Sequence, residues 1–176
     1  MTILCVDLDG TLIRTDTTWM ATCLFLRAYP YRCWQLLVWL LQGRAYLKQQ
    51  LAQKVLIDPA SLPYHAKLIE WLIERKQLGD TLVLATATDQ VFAQAVADHV
   101  GIFSEVIASD GHNNLRAKHK AAALSRHFGV KGYCYVGNSH DDLEVWREAK
   151  TAIVVNASKR LEGLVRQIAE VERVFE

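Results

Sequence analysis

The chain has 176 residues, 51% of them apolar and 22% charged, enough for one well-buried core with at most a small appendage. Its 20 lysines and arginines nearly cancel its 19 aspartates and glutamates, so overall charge gives no basis for binding nucleic acid. The most apolar run, Trp34 to Leu41, falls well short of the ~20 residues that a spanning helix needs, and no secretory leader is expected ahead of the first strand.

Ile3-Leu4-Cys5-Val6 opens the chain as an apolar run of the length and type of a buried strand. Asp7-Leu8-Asp9-Gly10-Thr11-Leu12 follows at once. In an open α/β sheet the reacting groups lie just beyond the carboxyl ends of strands. Asp is also a common turn former, but two carboxylates this close are costly unless a cation or a shared proton compensates them. Asp16-Thr17-Thr18 then supplies helix-capping chemistry. Largely apolar helices are predicted over 19–28, 33–41 and 45–55, with Pro30 separating the first two. Asp58-Pro59 and Leu62-Pro63 mark a loop, and 65–76 reads as an amphipathic helix.

From residue 81 the pattern changes to strands alternating with helices. Strands are predicted over 81–86, 105–108, 132–136 and 151–155, and helices over 89–99, 118–128, 141–149 and 158–174. Alternation of this kind builds βαβ units and a mostly parallel sheet. The expected architecture is α/β and Rossmann-like, a parallel five-stranded sheet flanked by helices. Residues 1–14 and 63–176 form its core, and a small helical cap over 15–62 is inserted after strand 1. The four cysteines have no metal-ligand spacing, and Cys5 and Cys134 fall in apolar strand runs. A reducing, cytoplasmic setting without disulfides is expected.

Four groups recur at strand ends. Asp7 and Asp9 are the first. Thr86-Ala87-Thr88 is the second, hydroxyls and backbone amides that suit a phosphoryl group at a helix start, where Thr88 serves equally well as a plain helix cap. The third is a lysine, Lys118 or Lys120, able to neutralise clustered aspartates and a transferring oxygen. The fourth is Gly137-Asn138-Ser139-His140-Asp141-Asp142, a carboxamide and two carboxylates of the hard oxygen type that Mg²⁺ takes.

The order Asp-x-Asp-Gly-Thr, strand-Thr, Lys, Gly-Asx-Ser-x-x-Asp resembles the four motifs of the haloacid-dehalogenase-like (HAD) hydrolase superfamily, with the helical insertion in the position of a type 1 cap. Leu84-Ala85-Thr86-Ala87-Thr88-Asp89 and Ile107-Ala108-Ser109-Asp110-Gly111 further resemble a subgroup also found fused ahead of membrane prenyltransferases. The resemblance implies a Mg²⁺-dependent phosphatase working through an aspartyl-phosphate. Asp7 is then the nucleophile and Asp9 the acid and base. Thr86, the Ala87 amide and Thr88 hold phosphate oxygens. Lys120, followed by Ala-Ala-Ala-Leu, balances charge, with Lys118 in reserve. Asp7, Asp9 through its carbonyl, Asn138 and Asp142 bind the metal.

Asn138 departs from the pattern, which usually has Asp there. A neutral ligand weakens the hold on the cation, so the alternative is a catalytically weakened module that binds a membrane enzyme or a phosphorylated ligand. The expected substrate is a small phosphorylated molecule, prenyl- or sugar-linked. The cap is crowded with Trp19, Phe25, Tyr29, Tyr31, Trp34, Trp39 and Tyr46, more than three short helices can bury. An exposed apolar surface there marks a partner, a dimer contact or a lipid-like substrate, and the subgroup resemblance implies peripheral membrane or prenyltransferase association.

Overall fold

Strand β1 (Ile3–Val6) lies near the middle of a parallel sheet and is almost wholly buried, as its unbroken apolar run requires of a strand covered on both faces. The computed structural model describes residues 1–110 and 113–176. Gly111, the last residue of the second subgroup phrase, lies outside them. The remaining strands are β2 (Thr81–Asp89), β3 (Glu105–Ser109), β4 (Cys134–Gly137), β5 (Thr151–Val155) and β6 (Glu170–Phe175). Among the described residues they form one sheet of six, ordered β3-β2-β1-β4-β5-β6, with every neighbouring pair parallel. The chain winds outward from β1 through β2 to β3, then restarts on the other side at β4. That reversal leaves a crevice beyond the carboxyl ends of β1 and β4.

The sixth strand corrects the expected five. Helix α8 (Lys159–Ile168) was expected to run on to residue 174, because Leu161, Val165, Ile168, Val171 and Val174 keep helical spacing. It stops at Ala169, and Glu170–Phe175 pairs with the free edge of β5. The β-branched Val171 and Val174 and the aromatic Phe175 favour that extended edge. Phe175 is buried against Trp71, with ring centroids 5.5 Å apart.

Helices cover both faces: α4 (Ala66–Gln77) and α5 (Gln90–Val100) on one, α6 (Lys118–Phe128), α7 (Leu143–Glu148) and α8 on the other. Between β1 and α4 come α1 (Thr17–Ala28), α2 (Trp34–Leu41) and α3 (Arg44–Lys54), which have a small core of their own made by Ala21, Phe25, Trp39 and Leu51. The chain leaves and re-enters the sheet through a short antiparallel stem. Arg14 donates its amide to the Pro63 carbonyl (2.9 Å), His65 donates to Leu12 (2.9 Å), and Ile13 bridges Tyr64. No helix among the described residues is long and apolar enough to cross a membrane. All four cysteines are free.

Candidate active site

Asp7 follows β1 directly, and its amide donates to the Val136 carbonyl of β4 (2.9 Å), which fixes it at the mouth of the crevice. Its carboxylate is nearly buried and accepts from the Lys120 ammonium at 2.8 Å. Lys120 comes from the first turn of α6 and is only 4% exposed. The same ammonium donates to the Tyr135 hydroxyl (2.8 Å), which in turn donates to Asp142 (2.7 Å), and it stands 3.7 Å from Asp142 itself. The other Asp142 oxygen accepts from the amides of Asn138 and Ser139 and from the Ser139 hydroxyl, at 2.9 to 3.1 Å. Asp142 is thus an anchor for the loop after β4 as well as an acid in the cluster.

Burial pushes the Asp7 carboxyl up to about 7, with Asp142 and Asp9 adding to the rise and Lys120 opposing it. Burial works against the Lys120 ammonium, but Asp7 and Asp142 outweigh it and hold its pKa above the ordinary value. One buried cation therefore faces more carboxylate charge than it can offset. That imbalance, in a set of oxygen donors, fits a further hard cation such as Mg²⁺, and Asp7, the Asp9 carbonyl and the Asn138 carboxamide are the groups suited to hold it. Asp142, the fourth expected ligand, has both oxygens engaged by Tyr135 and by the loop after β4.

Asp9 lies in the turn that Gly10 makes possible. Gly10 has φ +74°, and a Cβ added there would stand 2.1 Å from the Asn138 carboxamide nitrogen, so the backbone can approach Asn138 only without a side chain. The Asp9 carboxylate accepts from the Thr17 amide (2.7 Å), the Thr17 hydroxyl (3.2 Å) and the Thr88 hydroxyl (2.6 Å). Burial raises its pKa, and the bonds from Thr88 and Thr17 oppose that rise. Thr88 is therefore not the cap of α5. Asp89 is, accepting from the Val91 amide at 3.0 Å.

Thr86, Ala87 and Thr88 sit where the pairing of β2 with β3 shifts register between Ala85 and Asp89. Such an irregularity re-aims side chains at the end of a strand. The Thr86 hydroxyl accepts from the Thr88 amide (3.0 Å). The Ala87 carbonyl is held by the Lys48 ammonium (2.8 Å) and the Ser109 hydroxyl (2.9 Å), which fixes this peptide from two sides. Lys48 comes from α3, and burial lowers its pKa against the pull of Asp9, Asp16 and Asp7.

Asp7, Asp9, Thr86, Ala87, Lys120, Asn138 and Asp142 all line one open cleft of about 780 Å³. Thr88 stands behind Asp9, and Lys118 is exposed on the outer side of α6 and lines none of the cleft. Lys48, Thr17, Tyr135 and Arg14, the last also lining the cleft, went unrecognised from sequence. Tyr135 alone carried a signal, a polar aromatic two residues before Gly137 on the strand that leads to the fourth motif. The other three depend on how the stem and α1–α3 fold over the sheet.

No family model matches the chain. Uncharacterized protein y4nM of Sinorhizobium fredii (strain NBRC 101917 / NGR234) is 32% identical to it over 164 residues, 92% of this chain and 31% of that protein. The chain thus spans about a third of the length of that relative. Among solved structures, HAD family hydrolase t0658 from Salmonella enterica serovar Typhi superposes with a TM-score of 0.65 at 13% identity, covering 98% of this chain and 66% of that one. A substrate-bound phosphoserine phosphatase gives 0.66 at 13% identity, covering 100% and 93%. A Moraxella catarrhalis 3-deoxy-D-manno-octulosonate 8-phosphate phosphatase, solved with magnesium, phosphate and its sugar, gives 0.54 at 16% identity, covering 99% and 75%. The fold is that of the HAD-like hydrolases.

Proposed function

We propose that the chain is a Mg²⁺-dependent phosphatase that hydrolyses a phosphomonoester through an aspartyl-phosphate on Asp7. The observation that carries this reading is the buried Asp7–Lys120 pair at the end of β1, 2.8 Å apart, facing a cleft that Asp9, Thr86 and Ala87 also line. The finer resemblance, to the subgroup also fused ahead of membrane prenyltransferases, belongs to the same proposal and rests on the motif phrases around Thr86 and Ser109.

An ionised Asp7 oxygen attacks phosphorus, and the bond from phosphorus to the substrate alcohol breaks. Asp9, whose raised pKa suits a proton carrier, gives its proton to the departing oxygen. In the second step Asp9 takes a proton from the water that attacks the aspartyl-phosphate, releasing inorganic phosphate and restoring Asp7. Lys120 favours the ionised form of Asp7 against burial, and the Thr86 hydroxyl and Ala87 amide hold phosphoryl oxygens. Bound Mg²⁺ supplies charge neutralisation at the phosphoryl group. Trp19, Leu40 and Leu47 line the same cleft, which supports a substrate with an apolar organic part.

One residue favours the second reading, a weakened module that binds its ligand without turnover: Asn138, neutral where the metal needs charge. Hydrolysis of p-nitrophenyl phosphate with and without Mg²⁺ separates the two. Turnover is expected with Mg²⁺ and is expected to vanish in Asp7→Asn with the fold retained. Turnover that survives Asp7→Asn would overturn the mechanism.

A further inference from the structure

Between Asp16 and Asp58 the chain contains no acidic residue at all, while Arg27, Arg32, Arg44, Lys48 and Lys54 all fall there. The whole chain is only one charge from neutral, so the α1–α3 segment is cationic and the remainder acidic. Arg27, Arg32, Arg44 and Lys54 are exposed, so the excess lies on the surface of the segment, while Lys48 points inward to the Ala87 carbonyl.

The same segment leaves its apolar side chains uncovered. Helix α2 turns Trp39 inward, where its ring meets Phe25 edge-on at 5.1 Å. Trp34, Leu37, Val38 and Leu41 fall at i, i+3, i+4 and i+7, one stripe along the helix, and they are 60%, 63%, 40% and 80% exposed. Tyr31 stands out beside them at 93%. Arg27, Arg32 and Arg44 are exposed just before and just after α2 and have no salt bridge among the described residues. Leu40, from the same helix, and Trp19, from α1, are exposed and also line the cleft that holds Asp7. The apolar face and the mouth of the cleft are therefore continuous.

We infer that this face is a docking surface for an anionic lipid bilayer, the α2 stripe entering the interface and the arginines meeting lipid phosphates. Tryptophan, tyrosine and leucine beside arginine are the side chains that settle at the headgroup boundary, and each cation adds attraction to acidic lipid. A protein partner of neutral or basic charge gives no reason for the missing acids, and a second copy of this chain would set cations against cations. Docking in this pose turns the cleft mouth toward the membrane.

The test is binding to extruded vesicles, read by flotation, and it is independent of the proposed chemistry when carried out on Asp7→Asn. Vesicles of phosphatidylcholine with phosphatidylglycerol are expected to carry the protein, and pure phosphatidylcholine to carry at least ~10-fold less. A Trp34→Ser/Leu37→Ser/Leu41→Ser variant and an Arg27→Glu/Arg32→Glu variant should each lose at least ~10-fold in binding, both retaining the circular dichroism and melting behaviour of the parent. No binding to acidic vesicles at low salt would overturn the inference. So would binding by either variant equal to that of the parent, or a dimer in solution that the stripe substitutions dissociate.

Discussion

Asn138 is the residue on which the strength of the candidate metal site turns. Its carboxamide lies against Gly10, close to both Asp9 and the end of β1, and its amide is fixed by Asp142. Under the proposed function the position is that of a ligand, with the charge removed. Aspartate has the same shape as asparagine and fits the same space, so Asn138→Asp adds a negative charge without new crowding. The apparent affinity for Mg²⁺ is expected to tighten by about tenfold, because ligand charge count sets affinity for hard cations. Titrating p-nitrophenyl phosphate turnover with Mg²⁺ measures it, and an unchanged half-saturation point would show that Asn138 does not touch the metal.

At the scale of elements, the stem between sheet and α1–α3 depends on a histidine. His65 is fully buried and caps α4, its ring nitrogen accepting from the Leu68 amide at 3.2 Å, which only an unprotonated nitrogen can do. Burial lowers its pKa from the ordinary 6.5, and Arg14 adds to that. The folded state therefore prefers the neutral ring. The stabilisation is fully present above the unfolded value and is lost as pH falls from about 6.5 toward the lower folded value, where the unfolded chain binds the proton first. A helix cap contributes about 1 kcal/mol, so the urea midpoint should drop between pH 7.5 and pH 5. Asparagine keeps a capping oxygen and does not titrate, so His65→Asn should flatten that part of the profile. An equally steep profile in the variant would assign the effect elsewhere.

Elements were also where the sequence was most and least legible. β1, β2, β4 and β5 carry apolar runs that give way to Asp7 after β1, to Thr86 within β2 and to Gly137 at the end of β4, or fill the strand to Val155, and burial on both faces makes such runs easy to read. β6 was hidden because Val171 and Val174 continue the spacing of α8, and only the open edge of β5 decides for a strand. Asp7, Thr86 and Asn138 were placed in one cleft by sequence because strand ends fix their position. Lys48 and Thr17 act across the fold, 39 and 71 residues from Ala87 and Thr88, and no local pattern announces contacts of that kind.

For the molecule as a whole, the two regions differ in how they are held together. Apolar clusters lie on both faces of the sheet, whereas α1–α3 depend on four buried side chains, Ala21, Phe25, Trp39 and Leu51. Beyond the stem, polar bonds tie them to the body, chiefly Thr17 to Asp9 and Lys48 to Ala87. A region with so small a core opens at lower free energy than the sheet beneath it. Phe25 is almost completely buried and touches both Tyr29 and Trp39, so Phe25→Ala removes the centre of that core at a cost of about 3–5 kcal/mol. The loss should fall on one region. Amides of α1 and α3 are expected to exchange with solvent far faster in the variant, while those of β1 and β4 keep their protection. The proposed phosphatase activity should fall with the helices, since their opening releases Asp9 from Thr17 and the Ala87 peptide from Lys48. Hydrogen exchange followed by mass spectrometry reads both regions at once, and protection lost uniformly across sheet and helices would mean that the chain unfolds as one unit.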